Sequence, residues 1–555
     1  MFQELTLGYG PFPSDACYQK YILHTYAKRY LKTHSGNTSL FSIILDVDIW
    51  DEILIRKTLN SISEQSSPYW ELHLRCLPQY YSALENIVED YRCFHGEKTL
   101  ITVSCCQEKQ EQCTINITKA NGDTICFLSI GDTLEVNAVE CITSFLEHNP
   151  QADIVYSDHD QIDAHDHRHS PVWKPQWSPE LLLSHNYIGP SIFYRTAKLT
   201  ALGLTQEQDL CSFRYDVILH CAECNTIVMH LPALLYHQRD TMKRSTVTSK
   251  NILNEALARR GLACKAAIAC FAQKELLPFF TLEWNTKLYP PVTIIIPTKD
   301  RGDLLKRCMK SLQKTDYPDL SIMIIDNGST DSSTTSYLKK TSAQVIRIET
   351  KTFNYSYLHN IAMKYVETEL VLFLNNDTEI LDPAWLKEMV NIINMDSRIG
   401  AVGAKLLYPT GKVQHAGVMT SHTLGASHVH RHLPENADGY MYSNKTLRNY
   451  SAVTAACMLT RKSAFKEVGG FDEKNFPIAY NDVDYCLKLR KHHYRIVFTP
   501  FARLLHHEAA SRGRNSDHPD DVVRLKKRWI ARGSIDPYSY SAFSYILSVL
   551  SSLAS

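Results

Sequence analysis

The sequence predicts an α/β fold with a mostly parallel sheet, and it predicts that fold twice along a chain of 555 residues. Three observations lead there. From Pro290 onward, apolar runs of strand length begin roughly 25 residues apart, with helical sequence between most of them, the rhythm of βαβ units. Polar clusters close these runs, at "TKDR", "DNGSTD" and "NNDTE", where open α/β sheets bind ligands. The first half of the chain echoes the second at a spacing of about 250 residues, the mark of an internal repeat.

In the second half, "VTIIIP" (Val292 to Pro297) reads as a buried strand. A helix follows over "DLLKRCMKSL", with Leu304, Leu305, Cys308, Met309 and Leu312 on one face and Asp303 placed to cap it. "LSIMIID" (Leu320 to Asp326), "VIRI" (Val345 to Ile348) and "LVLFL" (Leu370 to Leu374) are the next strands. The last runs straight into "NNDTE", so a wholly apolar strand ends in a cluster of oxygen ligands. "NDVDYCLKLR" opens a further helix with two carboxylates, and "PFARLLH" is a strand ending at His506.

The first half offers a counterpart to each. "LFSIILDVD" (Leu40 to Asp48) matches the first strand, "ICFLSIGDTLEV" matches "LVLFLNNDTEI", "FRYDVILHC" matches "NDVDYCLKL", and "LPALLYH" matches "PFARLLH". The expected organisation is an N-terminal helical extension over 1–35, a first repeat over 36–285, a second repeat over 286–540 and a tail over 541–555. The boundary falls at "LEWNTKLYPP", where two prolines end a polar stretch.

Bulk properties narrow the function classes. Formal charge is 59 positive against 59 negative, so no global pull toward nucleic acid is expected. No apolar run of about 18 residues exists, so no membrane span is expected, and "SAFSYILSVLSSL" reads as a docked terminal segment. The start "MFQELTLGYG" lacks a basic-then-apolar leader, which makes a reduced, cytoplasmic setting the simpler expectation. Peripheral attachment at the inner face of a membrane is compatible with it. Of 16 scattered cysteines, only Cys221 and Cys224 have metal-like spacing, and they lack a second pair.

The motifs "VTIIIPTKDR", "IIDNGSTD", "FNYSYLHN", "FLNNDTEI", "GAVGAKLLYPTGKVQHAGV", "SAVTAACMLTRKSAFKEVGGFDE" and "YNDVDYCLKLR…HHEAASRG" resemble bacterial family 2 glycosyltransferases. The nearer likeness is to two-domain, rhamnosyltransferase-like members of surface polysaccharide synthesis. It covers nearly all of 290–540 and extends more weakly over about 35–245. The resemblance implies two tandem glycosyltransferase A domains, a nucleotide-sugar donor (UDP- or dTDP-linked), a glycan or lipid-linked acceptor, and inversion at the anomeric carbon. It also implies a divalent metal, Mn²⁺ or Mg²⁺.

Site residues follow residue by residue. Asp377, the only full charge in "NND", carries over as metal ligand, with His506 preferred and His507 second as its imidazole partner. Hard cations favour such oxygen ligands, and imidazole suits Mn²⁺. Asp482 carries over as the base that takes the acceptor proton. Thr298, Asp300, Asp326, Gly328, Asn354, Asn360, Asn375 and Asn376 line the donor side, while Asn481, Asp484 and His415 are candidates on the acceptor side. The loop "SHTLGASHVHRH" holds His422, His428, His430 and His432 at spacings that fit no standard metal site.

The repeat also shows changes. Arg214 stands in the first half where Asp482 stands in the second, and an arginine is no general base. "LRCLPQYY" replaces "IIDNGSTD" and carries no carboxylate. "LSIGDT" keeps Asp132 against Asp377 only if one residue is inserted. The first domain therefore reads as degenerate, retaining "KPQWSPELLLSHNYIGPSIFYR" as a core or binding surface. Three other readings remain open at this stage: a two-headed transferase, a nucleotidyltransferase and a non-catalytic glycan-binding or assembly protein. The single glycine of "PTKDRGD" speaks against nucleotidyl transfer.

Overall fold

The computed structural model describes residues 18, 39–95, 100–105, 119–203, 210–240, 246–422, 424–507, 519–530 and 536–539. The expected tail over 541–555, and all of the expected extension over 1–35 except Tyr18, lie outside them. The chain divides into two compact units. One holds Tyr9–Gly261 and Ala266–Phe280; the other holds Leu262–Lys265 and Thr281–Ser539.

The first unit contains β1 (Phe41–Val47), β2 (Trp70–Cys76), β3 (Ile101–Cys105), β4 (Thr124–Ser129), β5 (Thr133–Leu134), β6 (Ile154–Ile162), β7 (Arg168–Val172), β8 (Ile192–Arg195) and β9 (Val228–Arg239). They form one sheet in the order β3-β2-β1-β4-β8-β6-β9-β5, with β7 on β6. β1 pairs parallel with β2 and β4, and β8 enters antiparallel. In sequence, β10 (Cys264–Ile268) and β11 (Phe280–Trp284) come next and form a two-stranded sheet.

The second unit contains β12 (Val292–Thr298), β13 (Leu320–Asp326), β14 (Gln344–Arg347), β15 (Leu370–Leu374), β16 (Thr378–Ile380), β17 (Ile399–Leu407), β18 (Val413–His415), β19 (Val418–Ser421), β20 (Gly425–His428), β21 (Arg448–Asn449), β22 (Cys457–Arg461) and β23 (Arg495–His506). Its main sheet runs β14-β13-β12-β15-β22-β17-β23-β16. Strand for strand this is the order of the first unit, so the repeat read in the sequence is a repeat of topology. β12, β15 and β17 are buried at every residue, as continuous apolar strands covered on both faces should be.

The helix after β12, Gly302–Leu312, buries Leu304, Leu305, Cys308 and Leu312 as its spacing predicts. Its cap differs from expectation. Asp303 lies in the first turn and pairs with Arg301, Nη2 to Oδ2 at 2.9 Å, while Arg301 itself holds the cap position with φ 50°. The orphan Gly302 N–H is taken instead by Thr334 Oγ1 at 2.8 Å. Behind the strand ends, Phe373, Phe465, Phe471 and Tyr485 form an aromatic cluster, with Phe471 centred 5.1 Å from Phe373 and 5.2 Å from Tyr485.

In the first unit, "KPQWSPELLLSHNYIGPSIFYR" is predominantly core. Lys174, Leu181, Leu182, Tyr187 and Tyr194 are buried, and Tyr156 donates to Pro175 O at 2.7 Å. Packing accounts for most of this stretch, with Gln176 exposed and Trp177 half-buried.

Candidate active site

β15 ends in the turn Asn375–Asp377, which the fold pins from two sides. Asn375 N donates to Ala456 O at 3.0 Å, and Thr378 Oγ1 donates back to Asn375 O at 2.9 Å. β16 then pairs antiparallel with the end of β23, with Thr378 opposite His506. That register brings His506 Nε2 to 3.2 Å from Asp377 Oδ1, both side chains being buried. Asn375 Nδ2 lies 3.4 Å from the same nitrogen. Successive strand residues face opposite ways, so His507 turns from Asp377 and meets Glu379 Oε1 at 2.6 Å. Of the two imidazole rings the structure brings only that of His506 to the Asp377 carboxylate, while the backbone N–H of His507 donates to Asp377 O at 2.9 Å.

A carboxylate and an imidazole side by side suit Mn²⁺, and a cation held by one or two protein ligands keeps positions for phosphate oxygens and water. Among the described residues no cluster of three or more His, Cys, Asp or Glu forms a complete cage. The residues present therefore fit a cation shared with a phosphorylated ligand, with Asp377 and His506 as its protein ligands.

Asp482 sits in the first turn of the helix Asn481–Lys491. Its Oδ2 accepts from Ala455 N at 3.1 Å and its Oδ1 from Val483 N at 2.9 Å. Burial pushes its carboxyl above the usual range, opposed by hydrogen bonds from Ala455, Thr454 and Val483. A raised carboxyl is the state in which it can hold a proton. Residues 454–456 thus form a strap: Ala455 and Thr454 hold the Asp482 carboxylate, and Ala456 holds the Asn375–Asp377 turn through Asn375.

The three residues expected on the acceptor side are all directed into the fold. Asp484 is buried and accepts from Arg528 Nη1 at 2.9 Å and Trp529 Nε1 at 2.8 Å, docking the helix Pro519–Trp529. Asn481 donates to Ile478 O at 2.8 Å. His415 is buried, with Nδ1 2.9 Å from His428 Nδ1, and its Nε2 accepts from Thr454 N at 3.4 Å. Of the other histidines in that loop, His430 is bonded to Ser443 at 2.8 Å and burial pushes it down to about 3, while His432 stacks on Tyr408.

On the donor side, Asn376 donates to Thr298 Oγ1 at 3.1 Å, joining the ends of β15 and β12. Asp326 is buried at the end of β13; Oδ1 accepts from Ser329 N at 2.8 Å, and Oδ2 meets Arg347 at 2.7 Å. Gly328 has φ 72°, which the turn between them requires of a residue without a side chain. Asp300 Oδ1 accepts from the N–H groups of Thr330 and Asp331 at 2.8 and 2.7 Å, so it builds the loop above the strand ends. Asn354 and Asn360 differ from expectation. Asn354 caps a helix and donates to Glu473 O at 3.0 Å, and Asn360 bonds Phe471 N and O at 3.0 and 2.9 Å. Both brace the turn after Gly470 rather than a donor pocket.

Sequence reasoning assigned no role to Thr454, Ala455 or Arg347. Arg347 is visible only as a basic residue on the edge strand β14, and a backbone strap leaves no side-chain signal.

In the first unit, Thr133 pairs with His237 as Thr378 pairs with His506. The register makes Asp132 the counterpart of Asp377 and settles the insertion. Yet the pair is uncoupled there. Asp132 accepts from Tyr236 OH and from Arg239 N at 2.9 Å, while His237 Nδ1 meets Asp160 at 2.6 Å. Arg214 donates to Phe127 O and lies 5.9 Å from the Tyr236 ring centre, a buried guanidinium beside the old strand end.

A mostly parallel sheet of this order, with helices on its faces and polar clusters at its strand ends, has the glycosyltransferase A architecture. The family model described as glycosyl transferase family 2 matches residues 293–469, within the second unit. The chain is 32% identical over 514 residues to the O-antigen biosynthesis protein RfbC of Myxococcus xanthus, covering 90% of this chain and 39% of that one. It is 31% identical over 527 residues to protein y4gI of Sinorhizobium fredii, covering 90% of this chain and 57% of the relative. A third similarity, 27% over 278 residues, is to the N-acetylglucosaminyl-diphospho-decaprenol L-rhamnosyltransferase of Mycobacterium tuberculosis, covering 44% of this chain and 89% of that one. The chain thus spans about half the length, or less, of the two relatives it matches over most of its own.

Proposed function

We propose that the second unit is a metal-dependent inverting glycosyltransferase. It would move a sugar from a UDP- or dTDP-linked donor to a glycan or lipid-linked acceptor in surface polysaccharide synthesis. The observation that carries this reading is the 3.2 Å approach of His506 Nε2 to Asp377 Oδ1, tied through Asn375, Ala456 and Ala455 to the carboxylate of Asp482. The rhamnosyltransferase and O-antigen names of two relatives support the substrate class. No helix among the described residues is long and apolar enough to cross a membrane. A cytoplasmic setting, at the inner face of a membrane where the acceptor is lipid-linked, is part of the proposal.

Asp377 and His506 would hold Mn²⁺ or Mg²⁺, which supplies positive charge for the departing diphosphate. Asp482 accepts the proton of the acceptor hydroxyl as that oxygen bonds to the anomeric carbon. The bond from that carbon to the diphosphate oxygen breaks on the opposite face, and its electron pair leaves with the diphosphate. Asp326 and Gly328 form the floor on which the nucleoside rests, and Asn376 and Thr298 join the two strand ends beneath the donor. The first unit is read as non-catalytic, because Arg214 occupies the position of the base and Cys76 stands opposite Val47 where Asp326 stands opposite Thr298.

A thermal-shift screen of UDP- and dTDP-sugars with and without Mn²⁺ tests the reading, since a ligand bound to the native state raises its apparent stability. A metal-dependent shift with at least one nucleotide sugar, followed by transfer that Asp482→Asn abolishes, is expected. Metal-independent transfer, or transfer that survives Asp482→Asn, overturns it.

A further inference from the structure

His415 lies outside the set that touches metal or proton in this reading, yet it is the most deeply buried histidine near it. Its two nitrogens are both used: Nε2 accepts the Thr454 N–H at 3.4 Å, and Nδ1 lies 2.9 Å from His428 Nδ1. Acceptance at Nε2 leaves that atom without a proton, so the proton of a neutral ring is on Nδ1. Burial and the neighbouring His428 and His506 hold the ring well below the ordinary histidine range, so the neutral form is the one present. His415 Nδ1–H therefore donates to His428 Nδ1, and His428 carries its own proton on Nε2. Both tautomers follow from one backbone N–H.

On its other side Thr454 reaches the base. Its hydroxyl hydrogen-bonds the Asp482 carboxyl, it receives the Ala456 N–H at 3.3 Å, and the next residue gives Asp482 the Ala455 N–H at 3.1 Å. The chain of contacts runs from the hairpin β19–β20 through His428, His415 and Thr454 to Asp482. We propose that His415 is a positioning residue for the transfer step: by holding Thr454, it fixes the strap that aims Asp482 at the acceptor hydroxyl. This deepens the proposed function and rests on Asp482 being the base. A histidine that merely filled the core would need neither a bonded Nε2 nor a neighbour whose hydroxyl touches the base. Misaiming a base slows the proton transfer, whereas the donor side is held by hydrogen bonds among Asn376, Thr298, Asp326, Ser329 and Arg347.

Two measurements test this. Imidazole nitrogen NMR of histidine-labelled protein should show His415 as the Nδ1–H tautomer and His428 as Nε2–H. The opposite tautomer at His415, assigned by its loss in His415→Gln, overturns the proposal. Transfer kinetics are then measured with the nucleotide sugar that gives the largest Mn²⁺-dependent thermal shift. His415→Leu is expected to lower kcat about 30-fold or more with donor KM unchanged. His415→Gln, whose Oε1 can accept the Thr454 N–H, is expected to restore most of it. Thr454→Val should lower kcat similarly, and the double variant should lose little more than either single one. An unchanged kcat in His415→Leu, additive losses, or equal losses in the Leu and Gln variants each overturn the inference while leaving the glycosyltransferase reading standing. Absence of transfer by the unaltered protein overturns that reading instead, and the inference with it.

Discussion

The two units share a strand order but not the use they make of it. In the second, a threonine–histidine register brings Asp377 and His506 to 3.2 Å. In the first, the same register sets Asp132 and His237 side by side in the sheet, and each is bonded elsewhere, to Tyr236 and to Asp160. Arg214, where the second unit has Asp482, places a permanent buried cation near the strand end. A backbone scaffold therefore does not make a site. The side chains that surround two matching partners decide whether they meet each other or are bonded elsewhere.

The largest effect that sharpens this contrast is on turnover. Asp482→Asn should cut kcat by about 10² to 10⁴, the usual contribution of a general base, with donor binding nearly intact. Arg214→Asp, which restores the matching carboxylate in the first unit, should generate no second activity, because no acid replaces Cys76. Single-turnover assays of the two variants separate the units. Transfer retained in the double variant Asp482→Asn, Asp377→Ala would show that the first unit works after all.

Metal stoichiometry is the next measure. One bound Mn²⁺ per chain is expected by titration calorimetry in the presence of the nucleotide sugar that shares it. It should be lost in Asp377→Ala and His506→Ala and retained in Asp132→Ala, His237→Ala and His507→Ala. Two ions per chain, or loss in Asp132→Ala, would break the comparison.

Much of this was legible in the sequence, for identifiable reasons. The strands over 292–298, 320–326 and 370–374 are apolar throughout and bounded by polar turns, so pattern alone located them. Asp377 and His506 stand at strand ends, where period and topology put ligands. Less legible were the amide and acid side chains near helix ends. Asn354, Asn360, Asp484 and Asn481 resemble ligands by type, but each answers an orphan backbone or side-chain group nearby. The Thr454–Ala456 strap acts mainly through N–H and C=O groups, which residue identity does not encode.

A smaller effect is expected at Arg214 itself. Arg214→Met should destabilise the first unit by about 2 to 3 kcal/mol, because Phe127 O and Tyr236 OH lose a charged donor in a buried setting. Transfer per folded molecule should not change. Calorimetry resolves this as a lowered transition for one unit, and a loss of specific activity in the folded fraction would give the first unit a catalytic role.

The smallest effect concerns pH and separates the units thermodynamically. Glu388 in the second unit accepts from Trp284 Nε1 at 2.8 Å and Thr499 Oγ1 at 3.1 Å, and burial pushes its carboxyl up to about 7, only partly opposed by those bonds. The folded state then binds a proton between the ordinary carboxyl value and about 7 that the unfolded state has released. Stability that depends on this group is present at low pH and falls as pH rises through that window, levelling off above it. The group is half-buried, so the fall should be on the order of 1 to 2 kcal/mol rather than the full linkage value. Glu388→Gln keeps an acceptor for Trp284 and removes the titration. Its second-unit transition should therefore lose the decline between pH 5 and 7 while the first-unit transition keeps its own pH dependence. A decline that persists in Glu388→Gln would assign it to other carboxyls, and one that moved with the first unit's transition would show that the two units do not unfold independently.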